Sequence, residues 1–259
     1  MSGFDDLFSL HGRVALVTGG SRGIGRMIAT GFLRQGARVY ITARKAAACE
    51  ATARELSALG PCVSLPADVS TVAGVQALAQ ALMQREPRLD ILVNNAGAAW
   101  GEDFTTFPES GWDKVMNLNA KTPFFLTQAL HGHLKLAASA ERPAKVINIA
   151  SIDGVSVNPL ETYSYAASKA GLIHLTRRMA LRLAEDQIVV SAIAPGAFAS
   201  DMNKAARDHG DAVAQRIPMK RIGREEDMAG AAIYLASRAG DYVVGETLVV
   251  DGGVTHARG

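Results

Sequence analysis

The sequence predicts an α/β protein: a doubly wound parallel sheet of about seven strands with helices on both faces. Two observations lead to this prediction. Short runs rich in β-branched residues alternate with longer segments of helical periodicity, and strands joined by helices form parallel sheets through right-handed crossovers. The runs are also continuously apolar instead of alternating, which is typical of strands that are covered on both faces.

The predicted elements follow in order along the chain. Strands are expected at 13–18, 37–42, 62–65, 89–93, 145–150, 188–193 and 247–250, and helices at 23–35, 46–59, 72–85, 112–137, 162–184 and 225–236. No Pro-rich or Ser-rich linker and no internal repeat separates them, so residues 1–259 are expected to form a single domain. The least regular segment, 197–224, is expected to be a substrate lid over the sheet edge.

Composition excludes several classes of protein. The net charge is +2, and Lys and Arg occur in no long run, so neither nucleic-acid binding nor membrane binding is expected. No uninterrupted apolar stretch approaches the ~18 residues of a membrane span, and residues 1–13 lack the apolar core of a signal peptide. Cys49 and Cys62 lack metal-ligand spacing and are expected to be free thiols, which predicts a cytoplasmic protein without a metal site.

A glycine-rich turn follows the first predicted strand. The run TGGSRGIG places Gly19, Gly23 and Gly25 between that strand and a helix. Glycines at such a turn let the backbone approach a pyrophosphate, and the helix N-terminus supplies N–H groups and the positive end of a dipole. The spacing departs from G-x-G-x-x-G, and a glycine-rich turn without a ligand is the alternative. We expect a Rossmann-like dinucleotide site.

The end of the second predicted strand indicates which dinucleotide is bound. An NAD site places a carboxylate there, whereas this chain has Ala43 followed by Arg44, and Arg22 lies in the glycine turn. Guanidinium groups match phosphate oxygens, so NADP(H) is preferred, although either Arg could be an ordinary surface cation. Asp68, after the third strand, is suited to accept a hydrogen bond from the adenine amino group or to act as a helix N-cap.

Tyr165 and Lys169 are four residues apart on the predicted helix 162–184 and therefore lie on the same face. An ammonium group about 4 Å from a phenol contributes about 4 kcal/mol at an effective dielectric of about 20. That would lower the pKa of Tyr165 by about three, toward the range of a general acid/base. Ser151, at the end of the preceding strand, could donate a hydrogen bond to a substrate oxygen. Such Tyr and Lys pairs also occur by chance, and the motif by itself is compatible with a purely structural pair.

Several motifs in register identify a resemblance to a known family. They are TGGSRGIG at 18–25, NNAG at 94–97, Asn119, Ser151, the YxxxK pair of Tyr165 and Lys169, and PG at 195–196. Over nearly its whole length the chain resembles the single-domain short-chain dehydrogenases/reductases. Within that family it is most similar to bacterial NADPH-dependent 3-oxoacyl (β-ketoacyl) reductases, including those associated with rhamnolipid producers.

The resemblance implies roles for particular residues. Asn119, Ser151, Tyr165 and Lys169 would form a catalytic tetrad, with Asn119 preferred to Asn117. Tyr165 would protonate the carbonyl oxygen, Ser151 would orient it, Lys169 would bind the nicotinamide ribose, and Asn119 would hold a water for proton relay. With Tyr165 and Lys169, the cofactor site would include the following residues: Gly19, Ser21, Arg22, Gly23, Ile24, Gly25, Arg44, Asp68, Val69, Asn95, Ala96, Gly97, Pro195, Gly196 and Ser200.

The expected substrate is a 3-oxoacyl thioester, reduced to a secondary alcohol as part of fatty acid metabolism or rhamnolipid biosynthesis. Alternatives are a sugar acid, polyol or other small ketone, and a dinucleotide-binding regulator without turnover. Phe198, Met202, Ile217 and Met219 of the predicted lid could form an apolar acyl channel or could be the lid's own packing.

Two further expectations concern surfaces. Glu185 and Asp186 predict an acidic patch that would repel an acidic carrier protein, whereas Arg142 could contact one. Helix 162–184 has one apolar arc that can face the sheet and a second, rich in small residues, that needs a partner. The family resemblance makes that partner another copy of the chain in a homotetramer.

Overall fold

A seven-stranded parallel sheet with the order β3-β2-β1-β4-β5-β6-β7 forms the centre of the computed structural model, and helices cover both faces. The structure describes residue 4 and residues 6–257, so the ends of the predicted domain 1–259 lie outside the described residues. The strands are β1 Val14–Thr18, β2 Arg38–Thr42, β3 Cys62–Ser64, β4 Ile91–Asn94, β5 Ala144–Ile149, β6 Ile188–Pro195 and β7 Thr247–Val250. The predicted fold class is confirmed.

The α-helices of the described residues lie between these strands. They are α1 Gly23–Arg34, α2 Ala46–Leu56, α3 Val72–Met83, α4 Glu109–Met116, α5 Thr122–Ala137, α6 Tyr163–Leu183, α7 Lys204–Asp208, α8 Gly210–Ala214 and α9 Glu225–Ala236. Among the residues that the structure describes, no helix is long and apolar enough to cross a membrane.

The inner strands are covered on both faces. Every residue of β4, β5 and β6 is buried, which explains why their sequences are continuously apolar. The edge strand β7 is only partly buried along its length. Cys49 and Cys62 are buried free thiols on α2 and β3.

The strand order reverses between β1 and β4, and this point defines a crevice at the carboxyl ends of the strands. Thr18 at the end of β1 ties the two strands together, because its Oγ1 accepts hydrogen bonds from the backbone N–H groups of Asn95 and Ala96, both at 2.9 Å. Ligands of open parallel sheets bind at such a switch point. The glycine turn, the NNAG loop and the end of β5 all meet there.

The single helix predicted over 112–137 is interrupted in the structure. Between α4 and α5, residues Asn117–Lys121 form a π-helical turn. Such a turn adds one residue to a helical turn and rotates the side chains that follow it. Periodicity alone could not show the interruption, because the apolar spacing resumes directly after it. Asn119, inside this turn, is buried with 1% of its surface exposed.

The irregular segment 197–224 contains the short helices α7 and α8 and returns to its starting point. Phe198 and Gly223 form an isolated parallel bridge, and the Gly223 N–H donates to the Ala197 carbonyl at 2.8 Å. A Cβ atom on Gly223 would lie 2.3 Å from the Phe198 ring, so the closure requires glycine. The segment is therefore a loop with joined ends that stands next to the carboxyl edge of β6.

Candidate active site

The N-terminal turns of α6 carry the Tyr165 and Lys169 pair into the protein. Lys169 is 4% exposed, and its Nζ donates to the backbone carbonyl of Ile149 at the end of β5, at 2.6 Å. The same Nζ lies 5.6 Å from the centre of the Tyr165 ring. The two side chains thus share one helix face, as the spacing predicts. The structure holds the ammonium group above the ring and against β5.

The pKa shifts of this pair run opposite to the sequence-based expectation. Burial raises the pKa of Tyr165 to about 12, against the lowering effect of a hydrogen bond with Ser151. Burial also lowers the pKa of Lys169 to about 8. The expectation of a Tyr165 pKa lowered toward neutrality is therefore wrong for this arrangement, because desolvation disfavours the charged form of both groups. At neutral pH Tyr165 is a neutral phenol, which is the form that can donate a proton.

Asn119 links the π-helical turn to the NNAG loop and to α6. Its Oδ1 accepts from the Ala98 N–H at 2.8 Å, and its Nδ2 donates to the Ala98 carbonyl at 2.9 Å. Nδ2 also lies 3.0 Å from Ser168 Oγ, which donates to the Tyr165 carbonyl at 2.7 Å. Asn117 has no comparable set of contacts and lies instead beside Ser70 and Thr122 at a small cavity. The preference for Asn119 over Asn117 agrees with this geometry.

Gly97 shows how closely the predicted tetrad residues converge. A Cβ atom built on Gly97 would lie 3.2 Å from Asn119 Oδ1 and 3.8 Å from Lys169 Nζ. Ser151 is buried and interacts with the Tyr165 side chain. The structure therefore brings Asn119, Ser151, Tyr165 and Lys169 together at one position at the carboxyl edge of β4 and β5.

The glycine turn forms a cradle beside this group. Gly19 and Gly23 have φ angles of +66° and +54°, in the left-handed region that favours glycine. A Cβ on Gly25 would lie 2.4 Å from both the Gly19 carbonyl oxygen and Asn95 Nδ2. Asn95 Nδ2 donates to the Thr18 carbonyl at 2.7 Å, which fixes the NNAG loop against the turn. The backbone at the start of α1 is consequently open to a pyrophosphate.

The two arginines expected at a 2′-phosphate stand at the outer rim of this cradle. Arg44 follows β2 and is exposed, and Ala43 occupies the position where a carboxylate would select NAD. The Arg22 side chain is 70% exposed and forms an ion pair with Asp201 of the segment 197–224. This carboxylate partner could not be foreseen from the sequence, because it lies 179 residues away.

Asp68 does not act as an N-cap. Thr71 caps α3, accepting from the Gly74 N–H at 3.1 Å, whereas Asp68 accepts from the Ser70 N–H at 3.0 Å. Hydrogen bonds with Ser70, and to a smaller extent the charge of Arg44, lower the pKa of Asp68. The carboxylate is ionised and remains available to accept from an adenine amino group.

The other predicted cofactor residues lie around the same crevice. A Cβ on Gly196, just after β6, would lie 2.7 Å from Asp251 Cβ, and a Cβ on Gly23 would lie 3.2 Å from Ser200 Cβ. Val69, the residue after Asp68, is buried. The remaining members are placed by the loops already described: Ser21 and Ile24 in the glycine turn, Ala96 in the NNAG loop, and Pro195 at the end of β6.

Three residues that the sequence analysis did not single out belong to this site. Ser168 joins Asn119 to α6, and its position three residues after Tyr165 could have indicated it. Thr18 joins β1 to the NNAG loop. The carboxylate of Asp153 raises the pKa of both Tyr165 and Lys169. Only the packing of the 3₁₀ turn Ile152–Gly154 against α6 reveals this last residue.

The loop between Ser151 and α6 exposes both polar side chains, Ser156 and Glu161, and apolar ones. Val155, Val157 and Leu160 are exposed on the loop between Ser151 and α6. Phe104 packs edge-on against Tyr163 with ring centres 5.6 Å apart. The four lid residues expected to form either a channel or packing divide into two pairs: Phe198 and Ile217 are buried, whereas Met202 and Met219 are exposed.

The end of α6 differs from the acidic patch that its sequence predicts. The Asp186 side chain is only 8% exposed. It accepts from Lys135 Nζ at 2.5 Å and from Arg182 Nη1 at 3.2 Å, and lies 2.9 Å from His131 Nε2. These partners, Lys135 and His131 above all, hold the pKa of Asp186 well below its usual range. The predicted patch is wrong for Asp186, whose carboxylate is compensated by cations from α5 and α6, whereas Glu185 is 78% exposed and lies 3.6 Å from Arg182.

Comparisons with known proteins identify families and structures to which nearly the whole chain is similar. A family model described as Enoyl-(Acyl carrier protein) reductase matches residues 19–255. The chain is 51% identical to the rhamnolipids biosynthesis 3-oxoacyl-(acyl-carrier-protein) reductase of Pseudomonas aeruginosa, over 95% of this chain and 97% of that protein. It is 39% identical to the 2-dehydro-3-deoxy-D-gluconate 5-dehydrogenase of Escherichia coli K12, over 95% and 96% of the two chains. The Pseudomonas aeruginosa RhlG/NADP active-site complex superposes with a TM-score of 0.94 at 50% identity, covering 96% and 99% of the two chains.

Proposed function

The chain belongs to the short-chain dehydrogenase/reductase family, and we propose that it is an NADP(H)-dependent enzyme that reduces the 3-oxo group of an acyl thioester to a secondary alcohol. The main observation behind this proposal is the convergence of Asn119, Ser151, Tyr165 and Lys169 beside a glycine cradle. The high identity to a 3-oxoacyl reductase over nearly the whole chain supports the choice of substrate.

The residues present fit NADP(H). The turn at Gly19, Gly23 and Gly25 leaves its backbone open to a pyrophosphate, and a side chain at these positions would fill the space or strain the backbone. Arg22 and Arg44 face the solvent where a 2′-phosphate would lie, and no carboxylate follows β2. When bound, NADPH would supply the hydride for the reduction.

Tyr165 is the proposed proton donor. With its pKa raised to about 12, the phenol stays protonated throughout the physiological range and can give its hydrogen to the developing alkoxide. Ser151, hydrogen-bonded to Tyr165, is placed to orient the same oxygen. Lys169, charged below about pH 8, holds its position through the Ile149 carbonyl and would bind a ribose hydroxyl. Asn119 fixes the NNAG loop to α6, and we propose that it also positions a relay water.

The exposed aliphatic side chains of the loop after Ser151 support an acyl substrate. Val155, Val157 and Leu160 expose aliphatic surface beside the tetrad, where an acyl chain would lose contact with water. We propose that the segment 197–224 acts as a lid, with the exposed Met202 and Met219 contacting the chain and the buried Phe198 and Ile217 packing the lid itself. The compensated charge of Asp186 removes the predicted repulsion of an acidic carrier protein, so both carrier-protein and CoA esters are suitable.

A sugar-acid substrate is the second candidate. It is favoured by the 39% identity to a 2-dehydro-3-deoxy-D-gluconate 5-dehydrogenase over nearly the whole chain. The loop after Ser151 presents Ser156 and Glu161 as well as valine and leucine side chains, so the higher identity of 51% to a 3-oxoacyl reductase decides between the two substrates. We therefore rank this candidate below the acyl thioester. A regulator without turnover is disfavoured by the assembled tetrad.

The test is NADPH oxidation with a panel of carbonyl compounds: 3-oxoacyl-CoA esters of increasing chain length, the matching carrier-protein esters, and keto-sugar acids. We expect kcat/KM to rise with acyl length and to be at least tenfold lower for the sugar acids. Tyr165→Phe should lower kcat by about 10²–10⁴ with little change in NADPH binding. Tyr163→Phe, which removes only the hydrogen bond to Glu161, is the matched control and should keep kcat within a few-fold. Higher activity on sugar acids would overturn the substrate assignment.

We also propose a cytoplasmic homotetramer. The second apolar arc of helix 162–184 consists of Ala166, Ala170, Ile173, Ala180 and Ala184. Ile173 and Ala180 are buried within the chain, whereas Ala170, Ala184 and the neighbouring Leu181 are exposed. Another copy of the chain would bury this surface. The two free thiols are compatible with a reducing compartment. Sedimentation at micromolar concentration tests the assembly, and a monomer there would contradict it.

A further inference from the structure

A carboxylate of the lid, that of Asp201, forms an ion pair with the guanidinium group of Arg22 in the glycine turn. Asp201 lies in the stretch between β6 and α7, and its Oδ2 forms an ion pair with Arg22 Nη1. The two segments are in close contact at this point, because a Cβ on Gly23 would lie 3.2 Å from Ser200 Cβ. Arg22 is one of the two arginines that stand where a 2′-phosphate would bind.

Asp201 has a second cation partner within the lid. Its Oδ1 accepts from Arg207 Nη1 at 2.6 Å, and Arg207 also binds Asp208 through Nε at 2.8 Å. Asp201 therefore bridges the lid and the glycine turn, whereas Asp208 is bound within the lid alone. If Arg22 turned away from Asp201, the carboxylate would keep Arg207 and would not be left without a partner.

On the basis of the proposed NADP(H) site, we propose that Asp201 is a residue that determines cofactor preference, because its carboxylate competes with the 2′-phosphate of the cofactor for Arg22. A guanidinium group offers a planar fork that fits a carboxylate or a phosphate, and engaging the phosphate means giving up the carboxylate. NADH has no 2′-phosphate and leaves the ion pair intact. The pair thus weakens NADPH binding selectively and moderates the preference for NADP(H).

The same competition couples the cofactor to the lid. If Asp201 lowers the affinity for the 2′-phosphate, then by linkage the phosphate weakens the contact between Asp201 and Arg22 by the same factor. NADPH binding would release the lid from the glycine turn while the lid's own contacts between Arg207 and its two carboxylates persist. The lid is then free to close on a substrate.

The experiment measures the dissociation constants of NADPH and NADH by fluorescence titration at fixed ionic strength. Ion pairs as exposed as Arg22 with Asp201, at 70% and 47%, are weak. Their typical strength corresponds to a tightening of NADPH binding by about threefold in Asp201→Asn, with NADH binding unchanged. Asp208→Asn is the matched control, because Asp208 is equally exposed, binds the same Arg207 and does not contact Arg22. It should leave both constants unchanged.

Each alternative outcome has a distinct meaning. Weaker NADPH binding in Asp201→Asn would overturn the proposal and show that Asp201 orients Arg22 for the phosphate. Equal effects of Asp201→Asn and Asp208→Asn would also overturn it, in favour of a general charge effect. In an Arg22→Gln background, Asp201→Asn should have no further effect on NADPH binding, and tightening there would contradict the competition.

Arg22→Gln separates this proposal from the cofactor assignment. It should weaken NADPH binding and spare NADH binding. If instead the ratio of the two constants stays the same, the placement of a 2′-phosphate at Arg22 fails, and the proposed function loses part of its support. If Arg22→Gln behaves as expected and Asp201→Asn does not tighten NADPH binding, only the competition fails. Circular dichroism of each variant confirms that the fold is retained.

Discussion

Replacing Asn119 by Ala tests whether this side chain holds the active site together. Asn119 is buried and bonds to three groups: the Ala98 N–H at 2.8 Å, the Ala98 carbonyl at 2.9 Å and Ser168 Oγ at 3.0 Å. Alanine removes all three contacts and adds none. The change leaves the N–H and the carbonyl of Ala98 without their side-chain partner, whereas Ser168 Oγ keeps its hydrogen bond to the Tyr165 carbonyl.

The expected loss of stability follows from these groups. A buried donor or acceptor left without a partner costs about 1–3 kcal/mol, with the lower value where water can reach it. The two part-buried Ala98 groups lose this partner, and the fully buried Ser168 Oγ loses one of its two hydrogen bonds. We therefore expect the free energy of unfolding to fall by about 2–4 kcal/mol, a large fraction of the ~5–15 kcal/mol of a typical domain. The rate of NADPH oxidation should fall by more than the loss of folded protein explains, because the loop beside Lys169 loses the hydrogen bonds that hold it in place.

Urea unfolding at constant protein concentration measures this change, with NADPH oxidation followed on the same samples. Asn117→Ala is the control: the same substitution in the same π-helical turn, at a side chain without this set of contacts. It should cost less than about 1 kcal/mol, the range of substitutions away from buried networks. If Asn119→Ala unfolds at the same urea concentration as the unchanged protein, the side chain does not anchor the loop and this reasoning is refuted.

Three further predictions concern pH, the cofactor cradle and the opposite edge of the sheet. The value of kcat/KM for NADPH in the reductive direction should be constant below about pH 8 and fall above it. The reason is that Lys169 loses its charge above about pH 8, whereas Tyr165 stays protonated to about pH 12. A flat profile up to about pH 10 would contradict this. Gly25→Ala should abolish NADPH binding in titrations, since the added Cβ would lie 2.4 Å from the Gly19 carbonyl oxygen; normal affinity would argue against the cradle. Asp241→Asn should lower the free energy of unfolding by about 3 kcal/mol, measured by urea unfolding, because the buried Lys145 ammonium, 2.7 Å from Asp241, loses its ion-pair partner. An unchanged urea midpoint would show that Lys145 is neutral there.

Much of the site could be predicted because its signals are local. The four-residue spacing of Tyr165 and Lys169 determines a shared helix face whatever surrounds the helix. Glycines between a strand and a helix likewise indicate a phosphate cradle from backbone geometry alone. The fold class followed from the alternation of apolar runs and helical periodicity, for the same reason.

The errors share one cause, which is that each depends on residues far apart in the chain. The predicted direction of the Tyr165 pKa shift was wrong because burial in the fold, which the helix spacing does not reveal, outweighs the lowering effect of the hydrogen bond with Ser151. The acidic patch at Asp186 was wrong because Lys135 and His131 of another helix reach it. The prediction of a single helix over 112–137 was wrong because a π-helical turn interrupts it. That turn contains Asn119, which bonds to Ala98, and helical periodicity carries no information about this distant contact.

The sequence by itself determined the order of strands and helices, the glycine turn and the face on which the reactive phenol and amine stand, since short-range backbone geometry sets all of these. Only the tertiary structure decided which groups are buried and which charged groups form ion pairs, as Arg22 does with Asp201 of the lid. Desolvation and Coulomb interaction depend on distance in space, and the distance between residues along the chain does not determine it.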